Sequence, residues 1–186
     1  MKAGVIWFAA MLSWAGLTAF PHLSAAQYFS SLSGVADAPP EARQASASAL
    51  VGLASVLSAL GKLEMNDQAT ASDDLEVATR SLSGSIAAFK SLKDSKIADL
   101  KIDPQTLHPD ERSFISDPGL LDLGTNHLNT AGDVFALTAG ALSVSLSNIN
   151  SFRQAPSVQT YAVVRDDIAL LLRIGQIATQ LLKSAR

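Results

Sequence analysis

The chain has no cysteine at all. Disulfide bridges, covalent haem attachment through Cys-x-x-Cys-His and lipoprotein acylation are therefore excluded, and packing alone must stabilise whatever core forms. Histidine is scarce as well: beyond the first 26 residues only His108 and His127 occur, and Met65 is the one methionine there. No Glu-x-x-His pair exists for a carboxylate-bridged di-iron site, so no cofactor is expected on that ground. Also missing are a Gly-x-Ser-x-Gly elbow and any glycine-rich phosphate loop, since the glycines are scattered. Basic clusters are absent and the formal net charge is −3, which makes nucleic acid and anionic lipid surfaces poor partners.

Catalysis finds little else to use. Asp166 and Asp167 are neighbours, so on a helix they diverge by about 100° and do not face one substrate together. Arg165 beside them makes a surface charge cluster the simpler reading. The segment "HPDE" sets His108, Asp110 and Glu111 close in sequence, but its spacing matches no metal site, and "DLKIDPQTLHPDE" lacks the alternating ligands and glycine of a calcium loop. The residues thus read as a non-enzymatic protein, and this stretch as a solvated mixed-charge loop.

What is present begins with "MKAGVIWFAAMLSWAGLTAFPHLSAA". Lys2, the apolar run from Val5 to Phe20, Pro21 and the small residues Ser24 and Ala26 have the layout of an export signal over residues 1–26. Cleavage after Ala26 leaves residues 27–186 as a single domain, periplasmic or secreted; a retained membrane anchor is the alternative. The segment "QYFSSLSGVAD" that follows reads as a short helix or a loose arm.

Beyond it, strand signals are nearly absent and Ala, Leu and Ser dominate, so the fold expected is all-α. Four helices are predicted, over about 40–65, 72–92, 118–150 and 157–184. The first carries Leu50, Leu53, Leu57 and Leu60 at 3,4,3 spacing, widened by Val51 and Ala54 into one buried stripe. The second starts in "TASDDLE" and buries Leu75, Leu82, Ile86 and Phe89. The third is capped by Asp117 with Pro118 in its first turn, and the fourth ends in the cationic residues Lys183 and Arg186. Short connections within each pair and the long "SKIADLKIDPQTLHPDERSFIS" between pairs suggest a four-helix bundle of two antiparallel hairpins joined by a long charged connection. That connection is long enough either to cross the bundle or to stay at one end.

Residues 134–152, "VFALTAGALSVSLSNINSF", carry no charge. Leu121, Leu128, Phe135, Leu142 and Ile149 recur every seven residues, with Gly124, Ala131, Thr138 and Ser145 three further on, which is a heptad seam of alternating large and small layers. Seven polar side chains from Thr138 to Ser151, two of them Asn148 and Asn150, argue for a packed helix over a membrane span. The first helix has a similar uncharged run from Gln44 to Gly61.

Uncharged outer faces on two long helices fit a weakly charged solvated surface and, besides it, two functional readings, with a third that rests on His127. In the first, those faces meet a protein partner or a second copy, with Ser143 and Ser147 at the contact. In the second, the helices enclose an apolar small molecule or lipid, with Phe89, Phe135 and Tyr161 lining the pocket. The remote third is non-covalent haem b held by His127 and Met65.

Overall fold

A computed structural model describes residues 40–185, and among these the secondary structure is helical, with no strand beyond an isolated bridge between Lys101 and Thr130. The expected leader and the segment before the first helix lie outside the described residues. The elements are α1 (Pro40–Glu64), α2 (Gln68–Lys93), two single 3₁₀ turns (Lys96–Asp99 and Pro104–Thr106), α3 (Pro109–Ile115), α4 (Pro118–Leu121), α5 (Ala131–Gln154) and α6 (Val158–Lys183).

The first helix pair is tight. A three-residue turn joins α1 to α2, with Asn66 at φ 65°, a left-handed conformation that Asn tolerates at a helix end. Asp67 then caps α2 by accepting from the Thr70 amide, and the Lys62 ammonium meets Asp74 at 2.7 Å across the turn. Further along, the Ser85 hydroxyl donates to the Ala45 carbonyl at 2.8 Å, so the helices run antiparallel and close together. The face that α1 buries is made of Ala42, Ala45, Ala49, Leu53, Val56, Ala59 and Leu60.

This differs from the leucine stripe that the spacing suggests. Leu50 and Leu57 are only partly buried, and Val51 and Ala54 are exposed. Small side chains let two helix backbones approach, and that close approach turns α1 until its alanines face inward. Leu50 and Leu57 move to the flank, while Leu53 and Leu60 of the expected stripe stay in the core.

The third helix is shorter than expected. Residues 118–150 do not form one helix: α4 ends at Leu121, the chain turns through residues 122–130, and α5 begins afresh at Ala131. Its start is fixed by a reciprocal cap, in which the Asp133 amide donates to the Thr130 hydroxyl and the Asp133 carboxylate accepts the Thr130 amide at 2.9 Å. The seam of large and small layers therefore holds only from Phe135 onward; Leu121, Gly124 and Leu128 belong to a segment folded back against α5. Two glycines permit this contact. A Cβ on Gly140 would stand 1.9 Å from the Leu123 carbonyl oxygen, and one on Gly124 would stand 2.1 Å from that of Ala136. The heptad spacing continues in register across the break, so periodicity alone does not reveal it.

The connection from Lys93 to Ala131 stays at one end. The Ala131 amide donates to the Leu100 carbonyl at 2.9 Å and the Ile102 amide to the Asn129 carbonyl at 3.1 Å, bringing the end of α2 and the start of α5 together. Asp103 and Ser184 join through a 2.9 Å hydrogen bond, so the end of α6 is there too. Instead of a solvated loop, this segment is a folded cap whose charges face water while Ala98, Ile102, Leu107, Ile115, Leu120 and Leu128 are buried. Its "HPDE" motif is a helix start: Glu111 accepts from the His108 amide at 2.9 Å, and the His108 ring accepts from the Asp110 amide.

Helix α5 returns antiparallel to α2, with Phe89 stacked on Phe135 at 6.3 Å near one end and Arg153 donating to Thr79 toward the other. A three-residue turn leads into α6, whose start is capped by Ser157. Asn148 donates to Asp167 at 2.8 Å, so α5 and α6 are antiparallel as well. The Tyr161 hydroxyl donates to Glu64 at 2.7 Å and ties the start of α6 to the end of α1. One apolar core runs through α1 to α6.

Candidate functional site

Because the core turns one set of alanines of α1 inward, its outer face is left to Ala47, Val51, Ala54 and Ser58, all exposed, followed by the half-buried Gly61. These positions follow 4,3,4,3 spacing, the pattern by which one helix packs along another. Val51 keeps 51% of its surface open, and Leu50 and Leu57 flank the row. No charge interrupts it from Gln44 to Gly61.

Helix α5 has the same uncharged composition but a different environment. Both helices are long and apolar enough to cross a membrane by length and composition, yet 61% of the most apolar window is buried in α5 against 39% in α1. The lack of charge on α5 is thus mostly explained by its place in the core. Its open strip is narrow: Val144, Ser147 and Ser151 are exposed, while Ser143 is half-buried and donates to the Ala139 carbonyl at 2.7 Å.

The aromatic side chains suggested for a pocket are packed instead. Phe89 and Phe135 are 1% and 2% exposed and stack on each other. Tyr161 is buried, edge-on to Phe152 at 6.4 Å, and its phenol pKa is raised, first by burial and then by the bond to Glu64.

One cleft of about 890 Å³ opens at the end where the two short turns lie, between the start of α2 and the end of α5. Leu63, Ala71, Leu75 and Phe152 give it an apolar floor; Gln68, Ser72, Asn150, Arg153 and Gln154 form its polar side. A second cleft of about 530 Å³ lies at the capped end between α3, α4 and α6. Its cation, Arg173, is already seated 3.9 Å from the centre of the Phe114 ring. Neither cleft is lined by Phe89, Phe135 or Tyr161.

His127 and Met65 are not brought together. His127 is an exposed side chain in the turn before α5, its Nε2 3.7 Å from Asp133, whereas Met65 is 75% exposed beyond the far end of α1. The length of α2, about 39 Å at 1.5 Å per residue, lies between the two ends. One iron cannot take both as ligands. The work of His127 is local: burial pushes the Asp133 carboxyl up, but the Asn129 and Thr130 amides, the Thr130 hydroxyl and His127 together hold it below the usual carboxylate value.

The aspartate pair is likewise divided. Asp166 meets Arg165 at 3.1 Å, while Asp167 turns toward α5, where burial raises its pKa against the opposing bond from Asn148. Among the described residues no three of His, Asp and Glu gather as metal ligands.

No protein-family model matches this chain, and neither does any curated protein or solved structure.

The sequence held a signal for the α1 row in the uncharged residues one step round from its leucines. The cleft had none, because its walls come from Leu63, Leu75 and Arg153 on three separate helices.

Proposed function

We propose that this protein is an exported, non-enzymatic four-helix bundle, its helices in up-down-up-down order, that acts by self-association through the outer face of α1. The observation that carries the reading is the contrast in burial: α1 is as uncharged as a core helix, yet a smaller share of its apolar window is buried than in α5, and Ala47, Val51, Ala54 and Ser58 on its outer face are exposed. A second copy suits this face better than a charged partner does. In a symmetric contact the same residues meet across the axis, and a row with no charge brings no like-charge repulsion to it. Small side chains at heptad spacing let the two helices approach closely. Export rests on the leader-like residues 1–26 alone.

Sedimentation velocity on the purified protein tests this reading. A dimer is expected, and Ala54→Glu should convert it to a folded monomer with unchanged helical circular dichroism, because Ala54 is exposed. A wild-type monomer across the concentration range, or a dimer indifferent to Ala54→Glu, contradicts the proposal. Retention on neutral lipid vesicles in place of dimerisation would assign the face to a membrane surface instead.

A further inference from the structure

We propose that the cleft between the start of α2 and the end of α5 binds a single-chain amphiphile with an anionic head, of the fatty carboxylate class. Its size, about 890 Å³, falls within the usual range of small-molecule sites. Leu63, Ala71, Leu75 and Phe152 offer apolar surface to a chain. Among the described residues lining it there is no carboxylate, and Arg153 is the cation. Arg153 is exposed and, among the described residues, donates only a long 3.3 Å hydrogen bond to the Thr79 hydroxyl, so its charge is available to a carboxylate in a paired, fork-like contact. Gln68, Asn150 and Gln154 add amide groups around the rim. A neutral ligand would use the floor and waste the arginine; a small anion would do the reverse. The combination selects a molecule with both parts. This site is independent of the α1 face.

The test is calorimetric titration of the full protein with sodium laurate below its micelle concentration, with dodecanol as the uncharged counterpart and anionic phosphatidylglycerol vesicles as a membrane control. Saturable binding of one laurate per chain is expected. Arg153→Gln, at an exposed position, should weaken laurate about tenfold or more while leaving dodecanol unchanged. Ser72→Trp, placed on the exposed rim to fill the cleft, should abolish both with the melting temperature preserved. No saturable laurate binding, or binding that neither substitution alters, overturns the proposal. So does sedimentation with the vesicles in the absence of free laurate uptake, which would make the surface a lipid-headgroup contact.

Discussion

Helices α1 and α5 are alike in sequence and unlike in place. Both are 24 to 25 residues long, rich in Ala, Ser and Leu, and free of charge through their middle. Helix α5 is packed between α2 and α6 and covered at its start by the folded-back segment, so its sides need no charge. Helix α1 packs chiefly on α2 and leaves a row of small residues open. Burial accounts for this composition in α5, and in α1 the proposed self-association would account for it.

The largest effect should come from the buried helix. Phe135→Ala removes a side chain stacked on Phe89 in the core and should cost about 3–5 kcal/mol in chemical denaturation. Val51→Ala on the outer face of α1 should change monomer stability by less than about 0.5 kcal/mol. Comparable losses at the two positions would end the distinction between the helices.

Next come two glycines with opposite expected signs. Gly140→Ala forces a Cβ onto the Leu123 carbonyl and should destabilise by about 1–3 kcal/mol. Gly61→Ala meets nothing within 4 Å and should stabilise by up to about 1 kcal/mol through helix propensity. Thermal melting of both variants checks the pair.

A smaller effect concerns the start of α5. Asp133→Asn should cost about 1 kcal/mol at neutral pH by weakening the cap. Because the folded state holds this carboxyl below its usual 3.8, its contribution is complete above that value and is lost as pH falls through the lower folded one. Acid unfolding of the wild type should therefore steepen below pH 3.8 relative to Asp133→Asn. Parallel curves would show that the cap carboxylate contributes nothing there.

Much of the helical content was legible because amphipathic spacing, helix caps and short turns all agree locally. The cap Asp67 and the turn at Asn66 lie within a few residues of the predicted boundary between the first two helices. What was not legible depended on approach between distant segments. A heptad that continues in register from Leu121 to Ile149 hides the break at residues 122–130, since Thr130 and Asp133 form a cap only when the chain ahead of them turns away. The inward turn of the α1 alanines depends on contact with α2, and the folded cap depends on apolar residues such as Ile102 and Leu107 that are sparse among charges. His127 and Met65 were linked by chemistry alone, and three-dimensional placement separates them.

The proposed α1 contact is tested most directly by cysteine cross-linking, which the absence of native cysteine makes unambiguous. Ala54→Cys lies at the middle of the open row, and Ser147→Cys lies on the exposed strip of α5. Under mild oxidation the first variant should form a disulfide-linked dimer rapidly at low concentration while the second remains monomeric. Equal rates, or rapid cross-linking through Ser147→Cys alone, would contradict a contact built on α1.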